Sequence, residues 1–258
     1  MTHLAHRLTM LAGIAAPLFA LAIASSPALA QESNTTSQWA IGIGVGTQNR
    51  PYRDADRETR VLPLLIYENR WVRVVGLGAD LKLYNDGPFS AGLAARYSLF
   101  GYEGDDAPIL NGMDERKGGL WVGPTAMWRA GFANFSAELL GDASGHSKGT
   151  QVKLGVDRPF PVGDFRFTPR LAAIWRDAKY VDYYYGVQAH EVRADRPLHE
   201  GRSTTDYELG LRTDYRITPN HSVFLDLGAT SFGKAVKDSP LVDKTTQTSV
   251  RLGYVYRF

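Results

Sequence analysis

The closing stretch Thr248 to Phe258 reads T-S-V-R-L-G-Y-V-Y-R-F, and it limits the folds open to this chain more than any other segment. In an extended strand Val250, Leu252, Tyr254, Tyr256 and Phe258 share one face, while Ser249, Arg251, Gly253 and Arg257 share the other, with Val255 the one apolar residue among them. A soluble antiparallel sheet can alternate in this way, but chain termini fray, and a terminal strand this apolar must be held at both edges. Closure into a barrel supplies both partners and removes the free edge. The expected fold class is all-β, a transmembrane antiparallel β-barrel of about twelve strands.

The other end of the chain points to the same compartment. Arg7 supplies a short positive region, Leu8 to Ala24 is a near-continuous apolar run, and Ala28-Leu29-Ala30 before Gln31 is a small-x-small cleavage site. Residues 1–30 are therefore expected to be a cleavable signal peptide, and 31–258 a single outer-membrane β-barrel domain, since no Gly-rich linker divides them. Gly13 and Pro17 interrupt the run and Ser25, Ser26 and Pro27 follow it, which suits cleavage better than a membrane anchor. No later apolar run approaches the roughly 20 residues of a membrane helix, so a membrane-embedded mature chain must cross as strands. The mean hydropathy of -0.24 fits that reading, because each lipid-facing residue alternates with a lumen-facing one. Zero cysteines exclude a disulfide scaffold, a thiolate metal site and a Cys nucleophile. A net charge of +2 gives no concentrated positive face, so nucleic acid is not an expected partner.

Along the chain, Trp39, Ile41, Ile43 and Val45 alternate with Ala40, Gly42, Gly44 and Gly46, a first strand whose inward face is almost bare. Val61 to Tyr67 follows, then one strand from Trp71 to Tyr84, which the turn Asn85-Asp86-Gly87 joins to Phe89 to Tyr97. Further strands are expected at Leu120 to Trp128, Phe132 to Leu140, Thr150 to Val156, Phe165 to Trp175, Tyr180 to Val187, Thr205 to Thr213 and Val223 to Ala229 before the closing strand. With both termini periplasmic, this layout makes Asn85-Asp86-Gly87 a very short external loop and places the long acidic stretch Phe100 to Gly119 in the periplasm, the reverse of the usual barrel. Either a strand is hidden inside Phe100 to Gly119, or the barrel presents bulk to the periplasm.

No catalytic, cofactor or metal site is expected. His221-Ser222 are adjacent and point to opposite strand faces. His146 and Ser144 lie in a Gly-rich loop, and His190, Glu191 and His199 match no ligand spacing. The informative charges are those that alternation turns inward: Asp80, Lys82, Arg96, Glu138, Lys153, Arg166, Arg170, Glu208, Arg212, Asp214, Arg216, Asp226 and Arg251. Facing lipid, an Arg or Lys at mid-depth would cost about 2 to 4 kcal/mol, so these groups must pair or line water in the lumen. Arg212 and Glu208 lie about 13 Å apart along one strand, so each needs a partner on a neighbouring strand. Asp226 and Arg251 are the nearest candidates in chain order. The loop Lys234 to Lys244 can also fold inward through Asp238-Ser239-Pro240.

Tyr254, Tyr256 and Phe258 resemble the closing signal that the barrel assembly machinery reads in bacterial outer-membrane proteins. Tyr183-Tyr184-Tyr185-Gly186-Val187 followed by Glu191, Asp238-Ser239-Pro240-Leu241-Val242, and the early Pro63-Leu64-Leu65 then Tyr67 resemble the MipA/OmpV family of outer-membrane proteins. The resemblance covers essentially the whole mature chain. It implies a barrel in the lipid of the Gram-negative outer membrane, whose name-giving relative is similar to a scaffold linking a murein transglycosylase to a penicillin-binding protein. The family has no catalytic motif to carry over. Two roles follow as expectations: a non-enzymatic scaffold for peptidoglycan-remodelling enzymes, resting on the resemblance and on a periplasmic placement of Phe100 to Gly119, or a small porin-like channel for anionic solutes, resting on the inward charges.

Overall fold

Alternation of bulky apolar and small residues makes a wall with two chemistries, and the first strand shows how. In the computed structural model, which describes residues 37–258, Trp39, Ile41, Ile43 and Val45 of β1 (Gln38–Gln48) stand outward and exposed, while Ala40 on the opposite face is buried. The expected signal peptide lies outside the described residues. The chain continues through β2 (Glu58–Glu68), β3 (Val72–Val75), β4 (Gly78–Asp86), β5 (Phe89–Ser98), β6 (Gly119–Arg129), β7 (Asn134–Asp142), β8 (Thr150–Asp157), β9 (Phe160–Val162) and β10 (Phe165–Arg176). Helix α1 (Ala178–Tyr185), β11 (Thr204–Arg216), β12 (His221–Ser231), α2 (Lys234–Lys237) and β13 (Thr246–Arg257) complete it. Each strand pairs antiparallel with its neighbours, and β13 pairs with β1 in the register Tyr254↔Ile43 and Gly253↔Gly44, which closes the ring. β8 and β9 both pair with β10 and form one interrupted strand, so the barrel has twelve antiparallel staves. No helix among the described residues is long and apolar enough to cross a membrane.

Two local readings of the sequence are corrected, and their errors cancel in the strand count. Tyr180 to Val187 is not a strand: Asp177 caps a helix by accepting the Tyr180 N–H at 2.8 Å, and Tyr180, Val181, Tyr184 and Tyr185 bury one helical face. Trp71 to Tyr84 is not one strand but two, reversed at Gly76-Leu77, where Gly76 takes φ +55°. A left-handed turn residue of this kind favours glycine, and Val75 pairs across the turn with Gly78.

That turn reverses the expected side of the connections from 87–88 to 163–164, and the loss of a strand at Tyr180 to Val187 restores it for those that follow. The short links 69–71, 87–88, 130–133, 163–164 and 217–220 all fall at the end that carries the chain termini. The long links 49–57, 99–118, 143–149, 177–203 and 232–245 fall at the other. Phe100 to Gly119 therefore joins the long loops on the extracellular end, and neither hides a barrel strand nor reaches the periplasm, the usual division of a bacterial barrel.

The bare inner face of β1 is filled. Leu64, Phe224 and Val255 pack with Ala40 in a small internal cluster, and a Cβ on Gly253 would collide with the Phe224 ring.

Candidate functional site

The interior holds a cap, a charged belt and, on either side of part of that belt, a larger and a smaller cavity. At the long-loop end four connections fold together over the barrel mouth. Tyr52 comes from the β1–β2 connection, Phe100, Tyr102 and Leu110 from β5–β6, Tyr184 and Tyr185 from α1, and Phe232 and Leu241 from β12–β13. Their rings touch across the mouth, Tyr52 to Tyr102 at 5.0 Å and Phe100 to Tyr184 at 4.7 Å between centroids. Wall residues Ala94, Trp121 and Leu140 join the same buried cluster. Lys234 to Lys244 does fold inward, with the Ser239 hydroxyl donating to the Tyr185 carbonyl at 2.7 Å.

Polar contacts stitch the cap. Arg116 donates to both Glu191 oxygens at 2.7 and 2.9 Å, and Arg50 donates to Asp106 at 2.7 Å. Burial pushes the phenols of Tyr52, Tyr102, Tyr184 and Tyr185 well above the ordinary range. Burial also opposes ionisation of Asp106, but the hydrogen bonds from Arg50 and the Glu103 N–H outweigh it and hold this carboxyl below its ordinary value.

Below the cap a belt of ion pairs lines the wall. Arg96 reaches Asp80 at 2.5 Å and Glu138 at 2.9 Å. Lys153 and Arg170 hold Glu208 at 2.8 and 3.0 Å, Arg170 also holds Asp226 at 2.7 Å, and Arg251 meets Asp226 at 3.3 Å. Lys82 pairs with Glu68 at 2.6 Å. Arg212 is buried but finds its carboxylate on its own strand, Asp214 at 2.8 Å, and stacks 4.0 Å over Phe224. This corrects the expectation of a cross-strand partner for Arg212, because residues two apart on a strand already share a face. Glu208 is paired across strands, to Arg170 and Lys153 rather than to Arg251. Arg166 lies opposite Asp214 in the β10–β11 register, and Arg216, expected inward, is instead exposed at the end of β11 and pairs with Asp164 of the short turn at 2.8 Å.

Glu138, Lys153 and Arg170 line both cavities, so this part of the belt is the partition between them. The larger cavity, about 320 Å³, extends past Asn85, Arg129, Asn134 and Asp157 toward the short-turn end. The smaller, about 80 Å³, lies under the cap beside Gln48, Gln151 and Thr230. Sequence reasoning missed Arg73 and Arg129 in the larger cavity. Reading Trp71 to Tyr84 as one straight strand had put Arg73 on the face of Val75, turned away from Asp80 and Lys82, whereas the Gly76-Leu77 turn brings all four to the lumen.

The candidate reactive residues are used structurally. Ser144 Oγ accepts the Leu120 N–H at 2.6 Å, His146 meets the Gly118 carbonyl, and His221 meets the Tyr254 hydroxyl at 2.5 Å. Asp114, His190 and Glu191 come within 4.8 Å of one another, but Arg116 already occupies the Glu191 carboxylate; His199 pairs through its backbone with Val187. At the closing strand, Tyr254 faces outward and the Phe258 N–H donates to Trp39 at 3.1 Å, with the Phe258 side chain exposed.

Residues 41–258 match the family model described as MltA-interacting protein MipA. The MltA-interacting protein of Escherichia coli (strain K12) is 27% identical over 232 residues, covering 88% of this chain and 92% of that protein. Outer membrane protein OmpV of Vibrio cholerae is 24% identical over 223 residues, covering 86% and 87%. The NanC porin superposes with a TM-score of 0.46 at 11% identity, covering 84% of this chain and 100% of its own.

Proposed function

The chain belongs to the MltA-interacting protein MipA family and is an outer-membrane β-barrel of the Gram-negative type, and from that premise we propose that it is a non-enzymatic scaffold that docks peptidoglycan-remodelling enzymes at the periplasmic end. The observation that carries this reading is the cap: fully buried Tyr52, Leu110, Val236 and Leu241 from three loops close the extracellular mouth, which disfavours a through-channel. The larger cavity and the short turns remain on the periplasmic side, where a murein-bound enzyme works. A relative named for interaction with MltA points to a murein transglycosylase as the partner class. The test is affinity capture from solubilised envelopes with the full-length protein. Enrichment of murein transglycosylase or penicillin-binding protein supports the scaffold, and capture of neither overturns it.

A second reading, a channel for anionic solutes, draws on Arg73, Arg129, Arg170 and Arg212 along the larger cavity. It requires the cap to open. Discrete anion-preferring conductance of the intact protein in planar bilayers would favour it over the scaffold.

A further inference from the structure

The barrel wall is not of even height. β3 has 4 residues where β2 has 11. At about 3.3 Å per residue and a tilt of about 40°, β3 rises roughly 10 Å and β2 roughly 28 Å, against an apolar band of about 25 Å. By the same measure β4, with 9 residues, rises roughly 23 Å, so the Gly76-Leu77 turn lies inside the membrane, between roughly 10 and 23 Å above the short-turn rim.

Above that turn two staves are missing. β2 pairs with β3 only from Ile66 to Glu68, with one further bond from the Gly76 N–H to the Leu65 carbonyl at 2.9 Å. Glu58 to Leu64 are registered with β1 alone. On the far side the Tyr97 N–H still reaches Leu77 at 2.9 Å, so Ser98 is the one residue of β5 that runs past β4, and the open edge belongs to β2. Three strand spacings separate β2 from β5, roughly 14 Å. The loops above both sides are tied together by the Arg50 to Asp106 pair at 2.7 Å and the Tyr52 to Phe100 ring contact at 6.4 Å. The gap is thus a window in the side of the barrel, roofed by the cap.

Its backbone edge suits hydrocarbon. Because Leu65 turns its carbonyl toward the hairpin, Pro63, Val61 and Thr59 turn their backbone groups into the gap by alternation. Pro63 has no N–H and Thr59 lies near the water-exposed rim, so of these three residues Val61 is the one that offers a donor at depth. Val45, Val61, Leu77 and Leu252 around the window are exposed and apolar. Behind it lies a cavity of about 50 Å³, lined by Leu62, Pro63, Leu64, Val75, Leu77 and Phe224 and apolar apart from Arg60 and Arg251. That is room for roughly four water-sized groups, such as the end of a chain.

We propose that this window is a lateral docking site for one acyl chain of an outer-leaflet lipid, which inserts between β2 and the β3–β4 turn to reach Leu64 and Phe224. The occupant follows from depth: at this height the barrel meets only lipid chains, and the cap closes the route from water above. The site is independent of the scaffold reading, since it faces the membrane and not the periplasm.

The chain has no cysteine, so a single introduced thiol reports access. Leu64→Cys, Ile174→Cys and Leu209→Cys are reconstituted in proteoliposomes and treated with a long-chain alkyl maleimide dissolved in the bilayer or with a sulfonated maleimide in the water on both sides. Ile174 is an inward, buried residue on a strand paired at both edges, and Leu209 is lipid-facing. The expected result is alkyl labelling of Leu64→Cys at least ten times faster than of Ile174→Cys, within a few-fold of Leu209→Cys, and slow labelling by the sulfonated reagent. Equal alkyl rates at Leu64→Cys and Ile174→Cys overturn the proposal, as does faster labelling of Leu64→Cys from water. Leu62→Cys serves as a second position if Leu64→Cys loses its heat-dependent gel shift.

Discussion

Arg170 holds two carboxylates at once, Glu208 and Asp226, and all three side chains are largely buried. Arg212 holds one, Asp214, which is 30% exposed and keeps part of its hydration. An unpartnered buried charge costs more than its pair contributed, so Arg170→Leu should lower barrel stability by about 3 kcal/mol, and Arg212→Leu by about 1 kcal/mol or less. Denaturant unfolding midpoints in detergent compare the two. Equal midpoints would mean that the belt does not hold the barrel together. Asp106 makes a prediction of a different sign in pH. Its folded value lies below its unfolded one, near 3.8, so its contribution is complete above that value and is lost as pH falls through the lower folded value. The near-ultraviolet circular dichroism of the cap should hold steady down to about pH 4 and then decay. In Asp106→Asn the signal should be weaker at neutral pH and should lose this part of the acid dependence. Inward charges could be picked out in the sequence because alternation sets the face, but their partners could not: Arg96 meets Glu138 two strands away.

The cap is one element built from loops, and its tyrosines report on it. Burial raises the folded phenol values of Tyr52, Tyr102, Tyr184 and Tyr185, so their contribution is complete below the ordinary value near 10 and is lost as pH rises toward the folded ones. Ultraviolet difference absorbance should therefore show these four, of 13 tyrosines, ionising last and in one step with cap opening. Independent titration of all 13 near pH 10 would mean the cap is not packed. The closing strand makes a kinetic prediction. Phe258 gives one backbone bond to Trp39 and leaves its ring exposed, so deleting it should slow assembly in cells while the isolated barrel keeps nearly the same unfolding midpoint. Pulse-chase of heat-shifted protein measures the first, and normal assembly removes the case for an assembly signal at Tyr254, Tyr256 and Phe258. At this scale the spacing of Tyr180, Val181, Tyr184 and Tyr185 was a helical signal present in the sequence, hidden by the strand propensity of three consecutive tyrosines.

For the whole molecule, the closed mouth predicts that the intact barrel is silent in planar bilayers at neutral pH. Excising 103–115, which removes Leu110 and Met113 from the cap core, should produce conductance limited by the Glu138, Lys153 and Arg170 partition. Continued silence after the excision would place the barrier at the belt.

By itself the sequence determined the wall: an all-β barrel in the outer membrane whose strands alternate an apolar, lipid-facing set with a small or polar inward set. Those features follow from a period of two and from the cost of charge in hydrocarbon, and both act on each strand separately. Tertiary structure alone decided the rest. The Gly76-Leu77 reversal became legible only once β3 and β4 were seen paired, and it set the side of the connections from 87–88 to 163–164. Whether the loops seal the mouth, which carboxylate each arginine takes, and that a short hairpin leaves a window all depend on residues brought together by ring closure. Contacts across a closed barrel join positions far apart in the chain, and no local pattern encodes them.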